Sequence, residues 1–92
     1  FTFSFEGTGF RWYGLANNYK GIANVYIDGV KQTIDTYSSS TTYKKLFLEK
    51  SGLTNDKHTV KIEVSGSKNS SSIGFYIHLD KLDIINGMLI NN

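Results

Sequence analysis

The dipeptide Asp28-Gly29, set between two alternating runs, constrains this chain more than any other feature. Before it, Ala23, Val25 and Ile27 alternate with Asn24, Tyr26 and Asp28; after it, a second run extends over 30–37. Asp-Gly readily takes the positive φ that both central residues of a type I′ turn need, so the pattern predicts a tight antiparallel hairpin. The same period of two recurs along the chain. Phe1, Phe3 and Phe5 alternate with Thr2 and Ser4, and Phe10, Trp12 and Gly14 oppose Arg11, Tyr13 and Leu15. His58, Val60, Ile62 and Val64 alternate with polar residues, as do Ile73, Phe75, Ile77 and Leu79, whose strand is expected to run on to Ile85. Residues 43–49 read as a further strand. No segment keeps a capped 3.6-residue period. Seven short strands with turns about every ten residues predict an all-β antiparallel β-sandwich. Phe10, Val25, Ile27, Val60, Ile62, Val64, Phe75 and Ile77 are its expected core. The sandwich is placed at 1–85 and a tail at 86–92.

At 92 residues the chain is one domain, and its 39% hydrophobic and 14% aromatic content supports a packed core. It contains no cysteine, which excludes disulfides, a thiolate zinc site and a cysteine nucleophile. The net charge of +2 is spread singly apart from Lys44-Lys45, so there is no clustered basic stripe of the kind that binds nucleic acid. No stretch approaches the ~18–20 apolar residues that span a bilayer.

The runs 7–14 (GTGFRWYG) and 21–29 (GIANVYIDG), with DTYS at 35–38, EKSGL at 49–53 and HTVKI at 58–62, resemble a bacterial carbohydrate-binding module. The resemblance spans nearly the whole chain. It is broadly to carbohydrate-binding families 6 and 35, which have a galactose-binding-like jelly roll and are appended to secreted glycoside hydrolases. It implies an extracellular location and no chemistry of the chain's own. Its partners would be a polysaccharide or glycan and a catalytic domain in cis. It also implies that strands of the module precede Phe1, so these residues correspond to its C-terminal two-thirds. Leu46, Leu48, Leu82 and Ile84 are then expected to lack cover. The missing strand would come from an N-terminal segment or a neighbouring copy, and the 92 residues would not form a stable monomer alone.

Sugars are held by aromatic rings against the C–H face of the pyranose and by planar polar groups on its hydroxyls. Arg11, Trp12, Tyr13, Asn18, Tyr19, Tyr37 and Tyr43 are the candidate carbohydrate-binding residues, with Asn17, Lys20 and Asn69 as polar neighbours. Trp12 has a competing place in the core, in phase with Phe10, and Tyr37 and Tyr43 could instead pair across strands. Asp80 is the candidate for the structural calcium that the resemblance implies, although one carboxylate does not make a calcium site. His78 and Asp80 share a strand face, but no third ligand for catalytic zinc is evident. The eight acids present no converging pair for glycoside cleavage. The expectation is a non-catalytic carbohydrate-binding module. The alternative is a structural or protein-interaction sandwich of a secreted multimodular protein.

Overall fold

The computed structural model describes residues 1–90. They form eight strands and no helix: β1 (Thr2–Gly7), β2 (Gly9–Ala16), β3 (Ile22–Ile27), β4 (Val30–Asp35), β5 (Thr42–Lys50), β6 (Asp56–Val64), β7 (Lys81–Ile85) and β8 (Met88–Ile90). Two antiparallel sheets result, one ordered β4-β3-β6-β1-β8 and one ordered β5-β2-β7. The expected hairpin is present. Ile27 pairs with Val30, and Asp28 and Gly29 have φ of 50° and 85°, as a type I′ turn requires.

Alternation becomes burial where β3, β6 and β1 lie side by side. Ala23, Val25, Ile27, Val60, Ile62 and Phe5 point inward and are buried. They meet Phe10 and Trp12 from β2 in one core. The Phe3 and Phe10 rings meet edge-on at 5.6 Å, and Phe47 packs against Trp12 at 5.0 Å. Each large side chain so buried contributes about 1.5–3 kcal/mol. The outward face of the same strands is polar, with Glu63 accepting hydrogen bonds from Asn24 Nδ2 (3.2 Å) and the Tyr26 hydroxyl (3.1 Å).

Three expectations are corrected. First, Val64 is 57% exposed and Phe75 46% exposed, so neither belongs to the core. Val64 closes β6 at the open end of the sheet, and Phe75 lies outside any strand. Second, residues 73–80 form no strand. They cross from the end of the large sheet to β7, with one isolated bridge at Lys20–Tyr76 and single bonds to β2, among them the Asp80 N–H to the Tyr13 carbonyl at 2.8 Å. The crossing runs so near β2 that a Cβ at Gly14 would meet the His78 carbonyl and the Phe47 ring. In this passage Ser72 and Gly74 are buried, while Ile73 and Phe75 face solvent. Third, the expected tail gives way to strand β8, in which Ser4 pairs with Ile90 and Glu6 with Met88. Asn86 (φ 54°) and Gly87 turn the chain from the small sheet to the large one. The remainder of the predicted tail, 91–92, lies outside the described residues.

Strand β5 departs from regular pairing twice. Trp12 opposes Leu48 but Tyr13 opposes Leu46, so Phe47 is an extra residue; a second slip falls between Gly14 and Ala16. The first bulge lets the consecutive residues Phe47 and Leu48 both pack on the core. Near the second, Lys44 takes φ 51°. Leu48, Leu82 and Ile84 pack against the core, whereas Leu46 is exposed.

Candidate functional site

Three irregular segments meet at the end of the sheets where β3 begins. Asn17 bridges to Tyr37, and the Ser38 N–H donates to the Asn17 carbonyl at 3.1 Å. The Asn17 side chain accepts from the Tyr19 N–H at 2.9 Å, and the Asp35 side chain accepts from the Tyr37 N–H at 3.0 Å. Both are Asx turns, which hold a loop without a ladder. Asn69 Nδ2 donates to the second Asp35 oxygen at 3.0 Å. The buried Ser72 hydroxyl lies 2.6 Å from the Lys20 carbonyl and accepts from the Gly74 N–H. The Ile73 and Tyr76 N–H groups donate to the Asn18 and Tyr19 carbonyls at 2.8 and 3.2 Å. Backbone and short polar side chains thus fix the loops and leave the larger side chains facing solvent.

Tyr19 is 51% exposed and Tyr76 is 68% exposed. Beside them runs a groove of about 540 Å³ lined by Val64, Ile73, Gly74, Phe75, Tyr76 and Ile77. That volume lies within the roughly 300–1,000 Å³ range of small-molecule sites. Lys20 is nearly buried, and its ammonium sits 6.0 Å from the Tyr76 ring centre. The groove offers the exposed Tyr76 ring and an apolar floor; Lys20 lies near that ring, and the exposed Asn18 and Tyr19 stand on the loop whose backbone bonds the groove segment.

The predicted site residues divide between four places. Asn18, Tyr19 and Tyr37 join this loop end. Arg11 and Tyr13 instead share the outer face of the small sheet, where neighbours already engage them. Arg11 Nε donates to Glu49 at 2.5 Å, a contact that raises the guanidinium pKa above its ordinary value, and Lys81 stands 5.6 Å over the Tyr13 ring. Tyr43 projects, exposed, from the start of β5. Trp12 is corrected: it is fully buried, and its indole N–H donates to the His78 carbonyl at 3.2 Å, so its ring has no face for a ligand.

Glu49 and Asp83 stand on either side of Arg11 in the register. Each is engaged by a cation, Glu49 by Arg11 and Asp83 by Lys81 at 3.5 Å. Among the described residues no group of three or more acidic or histidine side chains converges, and Asp80 stands exposed outside any such cluster. The His78 ring accepts the Leu15 N–H at 3.1 Å through Nδ1, which gives it an anchoring role.

Sequence reasoning missed Ile73, Phe75 and Tyr76, because their alternation reads as a core strand. It also missed a cluster at the opposite end. His58, buried, lies 2.5 Å from Asp28 Oδ2 through Nδ1 and 2.8 Å from the Thr54 carbonyl through Nε2. Both partners are acceptors, so both ring nitrogens donate and the imidazolium is the form that fits. The Thr54 and Asp28 contacts raise the His58 pKa. The His58 contact, with the Thr59 N–H, lowers that of Asp28.

No protein-family model matches the chain, and no solved structure does. A stretch of 61 residues, 65% of the chain, is 41% identical to the A type blood N-acetyl-alpha-D-galactosamine deacetylase of Flavonifractor plautii. The matched stretch covers 8% of that enzyme. The chain is therefore similar to a small part of a much larger carbohydrate-modifying protein.

Proposed function

We propose that the chain is a non-catalytic carbohydrate-binding domain of a larger, secreted carbohydrate-active protein, with the galactose-binding-like jelly-roll topology. The observation that carries this reading is the pair of exposed tyrosines, Tyr19 and Tyr76, beside the groove over 73–77. A pyranose stacks its C–H face on such a ring and leaves its hydroxyls to Asn18, Lys20 and Tyr37. The small-sheet acids do not compete as a hydrolytic pair, because each is neutralised by a basic neighbour. Held in cis beside a catalytic domain, a weak site of this kind raises the local substrate concentration without chemistry of its own.

The similarity to the deacetylase makes glycans ending in N-acetyl-α-D-galactosamine the first ligands to test, and the apolar groove floor suits an acetamido methyl. A glycan array with the isolated chain, followed by calorimetry on Tyr19→Ala and Tyr76→Ala, tests the reading. Each variant should weaken binding about tenfold, the scale of one lost stacking contact, while the melting temperature stays within a few degrees. An array silent for every glycan would overturn the proposal and favour a protein-interaction domain. Binding that both variants leave unchanged would remove the groove from the site.

A further inference from the structure

The opposite end of the sheets, where β3 finishes at the Asp28-Gly29 turn, holds a second cavity of about 260 Å³. It is lined by Ile27, Asp28, Val30, Gln32, Lys50 and Leu53. Its polar wall is unbalanced. Gln32 sits directly opposite the buried Val25 across the β3–β4 ladder, so its side chain points between the sheets. Its amide nitrogen is nevertheless buried without a hydrogen-bond partner. A buried donor left unpaired is costly, and native structures rarely keep one without reason. Lys50 adds a second donor, and no carboxylate of the described residues pairs with it.

The Asp28 carboxylate, in contrast, is engaged through both oxygens. Asp28 Oδ2 holds His58, and Oδ1 accepts the Thr59 N–H at 2.9 Å. When His58 is protonated, the form that its two acceptor partners favour, it neutralises Asp28 and the charge left at the cavity is that of Lys50. The remaining wall, Ile27, Val30 and Leu53, is apolar. Two unpaired donors, an engaged carboxylate and an apolar remainder together define a complement. We infer that this cavity binds a carboxylate carried on a short apolar body, with the carboxylate facing Gln32 and Lys50 and the body against Val30 and Leu53. The space is that of about nine waters, which suits a small branched acid or the last residue of a peptide. The proposal is independent of the sugar reading and concerns the other end of the molecule.

The test is an NMR titration of the ¹⁵N-labelled chain with 3-methylbutyrate, set against 4-methyl-2-pentanone, a neutral ketone of closely similar shape. Saturable shifts are expected at Val30, Lys50, Leu53 and the Gln32 side-chain amide, with the Tyr19 and Tyr76 amides unmoved. The ketone should bind at least about tenfold more weakly, and so should the acid to Lys50→Met or Gln32→Leu, because hydrogen bonds to a charged group are the stronger kind. Lys50 is partly exposed, so Lys50→Met carries the test if Gln32→Leu fails to fold. The peptide Ala-Ala-Leu and its C-terminal amide separate the two sources. A peptide acid tighter than 3-methylbutyrate assigns the site to a chain terminus, and a weaker one assigns it to a free acid. An amide as tight as the acid overturns the carboxylate reading. So does the absence of saturable shifts, equal binding of the ketone, or an unchanged affinity in Lys50→Met.

Discussion

The large sheet and strand β5 teach different lessons about the same kind of pairing. β3 pairs with β4 along its whole length and with β6 from Ala23 to Ile27, in both cases without a register shift, while β5 slips twice against β2 within nine residues. Through the middle of the large sheet alternate residues meet the core, so a slip of one residue would turn that apolar set outward, and register is strongly held. β5 is an edge strand that must bury the consecutive residues Phe47 and Leu48, and only a bulge allows that. Regularity follows from alternation where one face is buried, and irregularity follows from a break in alternation at an edge.

Four measurements break or sharpen this contrast. The largest effect is expected at β2, which pairs with β5 and packs its Phe10 and Trp12 into the core under the large sheet. Trp12→Ala should lose roughly 3–5 kcal/mol of unfolding free energy, because it opens a cavity and leaves the His78 carbonyl without its donor. A urea-melt loss under ~1 kcal/mol would show that the core does not depend on this ring. Next, Val60→Ala in the large sheet should cost about 2 kcal/mol, against less than ~0.5 kcal/mol for Leu46→Ala in β5. Equal losses would erase the difference between the two regions.

Glycine substitutions should then differ in sign. Lys44→Gly removes the strain of a left-handed backbone and should gain up to about 1 kcal/mol, whereas Lys31→Gly in the regular β4 should lose about 0.5–1 kcal/mol. Two losses would mean that the Lys44 conformation stores no strain.

The smallest effect is the pH dependence of the Asp28–His58 pair, damped because the Asp28 side chain is 45% exposed. The raised His58 pKa contributes stability that is complete below its usual 6.5 and is lost as pH rises through the folded-state value. The lowered Asp28 pKa contributes stability that is present above its usual 3.8 and is lost as pH falls through its own folded-state value. Stability from this pair should therefore peak between about pH 4 and 6.5. Melts at pH 5.5 and 8 should show a decline that His58→Gln abolishes, and an equal decline in the variant would assign it to other groups.

Much of this was legible in the residues. Asp28-Gly29 announces its turn, and the alternation of 23–27 and 58–62 gives both the strands and their buried face, since both signals are local. Asn86-Gly87 is an equally local turn signal, but the strand that follows it, β8, is only three residues long and too short to show a period of its own. The candidate site was legible in halves. Asn18, Tyr19 and Tyr37 stand in polar loops and invite notice. Phe75 and Tyr76 alternate like a core strand, and nothing in their spacing says that the chain leaves the ladder there.

The sequence by itself determined what period two and turn chemistry can encode: an all-β chain, its hairpin and most of its inward-facing residues. Only the tertiary structure decided which inward-facing residues find cover. Val64 and Phe75 carry the pattern of Val60 and Ile62 but lie at the end of the sheets, where no second layer reaches them. It also decided which polar groups find each other. His58 meets Asp28 from 30 residues away, and Arg11 meets Glu49 from 38. Burial and pairing of this kind depend on the other sheet and on distant strands, and a local pattern holds no record of either.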